Sequence, residues 1–203
     1  MKKNETKEQI AEVALHLFAQ RGYSAVSIRD ICKEVGVKES TIYYHYKNKQ
    51  AIFDALLDKM NQFAEEKKSA FNQAFKSVDT VSVEEMEEVA VGVLKNYLLH
   101  PVVFPIISIL TIERMYDPKA GAEYRRIVFD MPLEQQKQVF REMICRKIVK
   151  EEDAMVFADL YYGIIFAAFQ QYCIGCQPSQ ANIQCATEQI RRNINYLYRS
   201  MKG

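Results

Sequence analysis

Val37-Lys38-Glu39-Ser40-Thr41-Ile42-Tyr43-Tyr44-His45-Tyr46-Lys47-Asn48-Lys49 is the stretch on which the reading of this chain turns. On a helix, Ile42 and Tyr46 fall at i, i+4 and make an inward apolar pair, while Lys38, Thr41 and His45 fall on an outward face. Lysines close both ends. Thirteen residues cannot bury a core of their own, so the inward pair must dock on neighbouring helices. The outward hydroxyl, imidazole and ammonium groups suit a polyanion, and the stretch reads as a binding surface rather than a catalytic one.

Working outward, the preceding residues supply the docking partners. Ser27 caps a short helix that carries Ile28, Ile31, Cys32 and Val35 at i, i+3, i+4, i+7 and is closed by Gly36. Ser27–Val35 and Lys38–Tyr46, joined by a turn containing glycine, have the layout of a helix-turn-helix. Before them, a helix starting near Asn4 or Thr6 sets Ile10, Ala11, Val13, Ala14, Leu17 and Phe18 on one face until Gly22 stops it. It forms the platform behind the pair.

Thr6, Ile10, Ala14, Leu17-Phe18 and Gly22-Tyr23, then Ser27-Ile28-Arg29-Asp30-Ile31, then Gly36-Val37, Ser40 to Lys49 and Ile52 together resemble the N-terminal domain of the TetR family of bacterial transcriptional regulators. About 50 residues carry the resemblance, a quarter of the chain. It implies an all-α fold of about nine helices: a three-helix helix-turn-helix DNA-binding domain at residues 1–49, then a helical effector-binding and dimerisation domain at 50–203. Residues at the positions of Ser40, Thr41, Tyr44 and His45 face the major groove in that family. Those of Tyr43 and Lys49 hold phosphates, and that of Arg29 reaches a base. Ser27 and Lys38 complete the DNA-binding set. Elementary chemistry agrees, since Lys and Arg neutralise phosphate, a Tyr hydroxyl donates to it, and Arg pairs in bidentate fashion with guanine. Glu39 departs from expectation, because phosphate repels a carboxylate.

Downstream, periodicity predicts helices almost throughout, with seven Gly and five Pro as punctuation. A long fourth helix from Lys49 carries Ile52, Phe53, Leu56, Leu57, Met60, Phe63 and Ala64, and Ser77 to Ser82 breaks it. Val83 to His100 forms the fifth, Val102 to Ile112 the sixth, and Pro118 opens a seventh that Met131-Pro132 breaks or kinks before Leu133, Gln136, Phe140, Met143 and Ile144 continue it to about Lys147. Glu151 to Gly175 is apolar nearly all round at 154–169, and Pro178 to Met201 is amphipathic. An all-round apolar helix followed by an amphipathic one is what a two-fold four-helix dimer interface requires, and Tyr161, Ile164, Ile165, Ala168, Phe169, Ile190, Ile194 and Leu197 are its expected members. By the resemblance, helices five to eight surround a cavity for a small apolar or amphipathic effector, with Tyr97, His100, Phe104, Ile107, Met115, Tyr124, Phe140, Met143, Phe157 and Tyr161 as candidate lining. Each of these aromatics taken alone equally suits an ordinary core.

Composition narrows the function classes. Residues 1–50 hold nine Lys/Arg against six Asp/Glu, the other 153 hold 18 against 20, so a mildly basic module precedes a mildly acidic remainder. Five cysteines without repeating spacing argue against a disulfide framework and for a reducing, cytoplasmic setting. Neither a signal peptide nor a membrane span is expected, so no membrane partner is. Cys173 and Cys176, with Cys185 following, are the sole metal- or redox-like group, and they lack a nearby histidine and a fourth ligand, so no metal or other cofactor is expected. His16, His45 and His100 sit on separate helices and no phosphate loop or nucleophile elbow is present, which speaks against an enzyme. The expected function is that of a dimeric repressor, released from double-stranded operator DNA by an effector. Its rival is a small-molecule-binding protein whose helix-turn-helix no longer contacts DNA.

Overall fold

The computed structural model describes residues 2–76, 80–148, 154–174 and 178–202, and these contain helices and no strand. In chain order they are α1 (Lys2–Arg21), α2 (Ile28–Val35), α3 (Glu39–His45), α4 (Lys49–Phe75), α5 (Val83–Val93), π1 (Leu94–Leu98) and α6 (Phe104–Glu113). Then follow α7 (Pro118–Arg125), π2 (Arg126–Asp130), α8 (Met131–Cys145), α9 (Ala154–Tyr172) and α10 (Gln180–Lys202). Because α5 runs directly into π1, and α7 through π2 into α8, the described residues form nine uninterrupted helical stretches. That is the number the punctuation predicts.

The chain packs as two compact units, Met1–Glu66 with Pro101–Tyr124, and Lys67–His100 with Arg125–Gly203. The first unit thus takes in more than the expected module at 1–49: α4 as far as Glu66 groups with it, and so does α6, which packs on α1. Within that unit Ile10, Ala14, Leu17 and Phe18 of α1 are buried together with Ile31, Ile42, Ile52 and Met60, and α6 adds Ile106, Ile107, Ile109 and Leu110. Nearly every side of α6 is buried, which explains a helix without a polar face. In the second unit α9 packs against α8, α10 and α5, and α10 also lies on α5. Phe140, Tyr161, Ile165, Phe169, Ile190 and Ile194 are its buried centre.

Of the break or kink expected at Met131-Pro132, the break is excluded. Met131-Pro132 does not end a helix; it follows a π-turn in a continuous one. The Met131 N–H reaches back five residues to the Arg126 carbonyl, and at the next position proline has no N–H to give to either Ile127 or Val128. Two tyrosines fill the deficit. The Tyr97 hydroxyl donates to the Ile127 carbonyl at 3.1 Å, and the Tyr162 hydroxyl donates to the Val128 carbonyl. A proline inside a helix is tolerated when other donors serve the carbonyls it orphans, and here both are served.

Candidate nucleic-acid interface

The reading helix is held by features visible residue by residue. Upstream, Ser27 and Asp30 make a reciprocal cap at the start of α2: the Asp30 N–H donates to Ser27 Oγ at 3.2 Å and the Ser27 N–H donates to Asp30 Oδ2 at 2.8 Å. The Ser27 hydroxyl also donates to Asp30 Oδ2 at 2.5 Å, and these Ser27 donors hold the Asp30 carboxyl below its usual range. At the other end Gly36 takes φ +78°, and the N–H groups of Gly36 and Val37 both reach the Cys32 carbonyl. This left-handed closure turns the chain into α3. Helix α3 is then docked by Ile42, fully buried, and by Tyr46, whose hydroxyl donates to the Lys7 carbonyl at 3.2 Å. Both were expected to face inward. Asn48 starts α4 by accepting from the Ala51 N–H at 2.8 Å.

What remains on the outside of α3 is a patch at i, i+3, i+4: Ser40, Tyr43 and Tyr44 are exposed, Tyr43 by 52% and Tyr44 by 66%, and Lys47 is exposed just beyond the helix end, after the extended Tyr46. Two large tyrosines left open on a seven-residue helix, beside a lysine, form a surface with hydroxyl donors and positive charge. Tyr44 stands edge-on to His45 with ring centroids 5.1 Å apart. His45 and Thr41 flank the patch and are half-buried, and Lys38 is exposed at the start of the helix. Lys47 was not among the expected contact residues; its exposure beside the patch makes it a candidate.

Two sequence assignments take a different shape. Lys49 donates to the Tyr23 and Val26 carbonyls, both at 2.8 Å, and lies 4.3 Å from the centre of the Tyr23 ring. Desolvation depresses its pKa, against a smaller opposing pull from Glu113. Two of its three donors are committed to the turn between α1 and α2, so the geometry makes Lys49 a clamp on that turn and leaves at most one N–H for a phosphate. Ser27 likewise commits its hydroxyl proton to the cap. Arg29, by contrast, is exposed, and its Nε donates to Glu39 Oε1 at 3.0 Å. This is the place found for the carboxylate that the sequence left unexplained.

The turn clamped by Lys49 has a second anchor that no pattern in the sequence announces. Glu113, at the end of α6, is buried and accepts from the Ser24 N–H at 3.1 Å and from the Ser24 hydroxyl at 2.5 Å. Gly22, with φ +85°, allows the close approach: a Cβ there would lie 2.9 Å from Glu113 Oε1 and 3.2 Å from Ile112 Cγ2. Phe18, Tyr23 and Phe53 pack ring to ring behind the turn.

Residues 10–56 match the family model described as bacterial regulatory proteins, tetR family. The N-terminal module is that of the TetR family. Over 52 residues the chain is 42% identical to the HTH-type transcriptional regulator AcrR of Shigella flexneri, covering 26% of this chain and 24% of that one. Over 47 residues it is 40% identical to the negative transcriptional regulator IcaR of the biofilm operon icaADBC in Staphylococcus epidermidis, covering 23% and 25%. The matched stretch therefore spans about a quarter of these relatives' length. Across the whole chain the fold is similar to that of a transcriptional regulator from Aquifex aeolicus, with a TM-score of 0.67 at 16% identity, covering 94% and 98%. The TetR-family module is thus legible in sequence, and the similarity of the remainder lies in the fold.

The other predicted sites are redistributed. Of the candidate effector residues, Phe104, Ile107, Met115 and Tyr124 belong to the first unit; Tyr97, His100, Phe140, Met143, Phe157 and Tyr161 belong to the second. Met115 is 75% exposed and lines no core, so it leaves the set. Tyr124 is buried beneath the Arg114 guanidinium, 4.1 Å from its ring centre. In the second unit the Tyr161 hydroxyl donates to the Met86 carbonyl at 2.7 Å, and burial pushes its pKa up. Burial likewise pushes Tyr97 up to about 12. His100 is held below its usual value by desolvation first and by Lys67 second. Both tyrosine hydroxyls are thus engaged with backbone carbonyls.

Most of the expected dimer residues lie inside the subunit's own core. Tyr161, Ile165, Ala168, Phe169, Ile190, Ile194 and Leu197 are buried within the subunit's own helices, leaving little side-chain surface for a partner. Only Ile164 of that set is half-exposed. The open apolar surface lies one helical position round, where Val156, Leu160 and Tyr196 are exposed. There Phe157, Leu160, Ile164, Asn193, Tyr196, Leu197 and Ser200 line an open groove of about 370 Å³ between α9 and α10. A helix apolar all round marks both faces as buried or buriable without saying which is which. Cys173 is buried and Cys185 exposed, neither in a disulfide, and Cys176 lies outside the described residues.

Proposed function

We propose that this chain is a homodimeric, DNA-binding transcriptional repressor whose recognition element is α3. The observation that carries the reading is the patch Ser40, Tyr43 and Tyr44, which stays open on a helix docked on its other side through Ile42, with Lys47 exposed just beyond the helix end. Tyr43 and Lys47 supply donors to phosphates, while Ser40, Tyr44 and His45 address base edges in the major groove. Dimerisation through the groove between α9 and α10 pairs two such helices, so that they meet half-sites about one helical turn apart. A small apolar or amphipathic effector bound by the helices beyond the module favours a dimer geometry that no longer fits the operator, and its effect is bounded by its differential affinity for the two geometries. The Glu113 clamp on the Ser24 turn is a route by which a movement of α6 reaches the module.

The test is a fluorescence-anisotropy titration with duplex DNA from the protein's own promoter region over a range of salt. Tight binding is expected, with Lys47→Ala lowering the salt slope by about one unit. In the same experiment Ile164→Glu yields monomers by sedimentation and loses operator affinity. A wild-type chain that binds the promoter no better than unrelated DNA overturns the reading in favour of a ligand-binding protein without DNA contact.

A further inference from the structure

Glu39 is the one acidic residue of α3, on a helix read as meeting a polyanion. Its carboxylate accepts from Arg29 on the preceding helix, and the contact uses Nε alone. The terminal Nη1 and Nη2 of Arg29 make no hydrogen bond among the described residues, and the side chain is 85% exposed. The chemistry of that arrangement is specific. Arginine reads guanine by two parallel N–H donors directed at O6 and N7, and the two terminal nitrogens present such a fork. A flexible, unrestrained arginine gives up rotamer freedom when it docks; one gripped at Nε has already given up part of it. Glu39 is itself well placed for the grip, since it occupies the first turn of α3, where the helix end favours negative charge.

We propose that Glu39 is a positioning residue that orients Arg29 to read one guanine in each half-site. The inference rests on the DNA-binding reading above. It opposes in sign the simplest alternative, in which Glu39 merely repels phosphate: removing a repulsive charge tightens binding to every duplex alike.

The full-length chain is used to select duplexes from a random library, and affinities are then measured for the selected duplex and for variants with each G·C pair replaced. For the wild type, one guanine per half-site is expected whose replacement weakens binding about ten- to a hundred-fold. Arg29→Ala abolishes discrimination at that position. Glu39→Ala reduces the same discrimination by roughly two- to five-fold, the range of an exposed ion pair, while the salt slope stays as it was. Glu39→Gln, whose amide oxygen still accepts from Nε, keeps the larger share. In the Arg29→Ala background, Glu39→Ala has no further effect on this discrimination. Helical content by circular dichroism checks that each variant folds. Undiminished guanine discrimination in Glu39→Ala overturns the proposal, and so does uniformly tighter binding. A wild-type chain that selects no duplex at all instead fails at the first arm, and takes the DNA-binding reading down with the proposal.

Discussion

The reading module and the tyrosine-rich helices of the second unit solve the same problem, unpaired backbone groups at helix irregularities, in opposite ways. At the ends of α2 and the start of α4 the partners are near in sequence: Ser27 serves Asp30, Asn48 serves Ala51, and Gly36 turns the chain so that its own N–H closes on Cys32, whereas the turn before α2 takes its partners from Lys49 and Glu113. In the second unit they are far away: Tyr97 and Tyr162 serve carbonyls at 127 and 128. Local caps let a short segment take its shape almost alone, whereas distant hydroxyls deliver their hydrogen bonds only once the bundle has assembled. The module is accordingly the part of the chain whose form is written in a short motif.

The largest effect tests where this division fails. Gly22 and Gly36 are both local turn residues with positive φ, yet only Gly22 is pressed by α6. Gly36→Ala meets nothing within 4 Å and should cost only the left-handed conformation, about 1–2 kcal/mol. Gly22→Ala adds a clash with Glu113 and Ile112 and should cost about 2–5 kcal/mol in denaturant unfolding. Equal losses at the two glycines would mean that α6 yields freely and does not constrain the module. The second test addresses the distant donors. Tyr162→Phe strands the Val128 carbonyl and should cost about 1–3 kcal/mol. Pro132→Ala restores an N–H within reach of that carbonyl, so the double variant Tyr162→Phe/Pro132→Ala should regain much of the loss. If proline replacement does nothing for the tyrosine variant, the hydroxyl is not standing in for the missing amide.

The same contrast explains what was legible in advance. Helices were readable throughout, because apolar spacing and Gly and Pro punctuation are local signals, and Ile42 and Tyr46 sit inward as their spacing requires. Contact assignments were readable only where a side chain has no competing neighbour. Lys49 looked like a phosphate ligand because a lysine after a recognition helix carries charge; nothing in its own neighbourhood reveals that the Tyr23 and Val26 carbonyls, more than twenty residues upstream, claim two of its donors. Glu39 was opaque for the same reason, its partner being ten residues away on another helix. Glu113 and Met115 lie two residues apart, one buried and one 75% exposed, and only the packing of α6 separates them. On α9 the pattern is apolar on every side, so periodicity could not choose between Ile165, buried in the subunit, and Leu160, half exposed.

The smallest expected effect probes the local cap itself. Ser27→Ala removes the oxygen that accepts from the Asp30 N–H and the proton that the hydroxyl gives to the Asp30 carboxylate, and should cost about 1 kcal/mol at neutral pH. Its pH dependence separates the two contributions. The folded state holds the Asp30 carboxyl below its usual value, chiefly through the Ser27 hydroxyl and then through the Ser27 N–H, so the unfolded chain takes up its proton first as pH falls. The stabilisation is therefore complete above the ordinary carboxyl range, near pH 4, and fades as pH drops through the lowered folded value. The gap between wild type and Ser27→Ala should be widest at neutral pH and narrow on the acid side, leaving the part due to the Asp30 N–H. A gap of constant width from neutral to strongly acidic conditions would show that the hydroxyl serves only as an acceptor and that the carboxylate side of the cap contributes nothing.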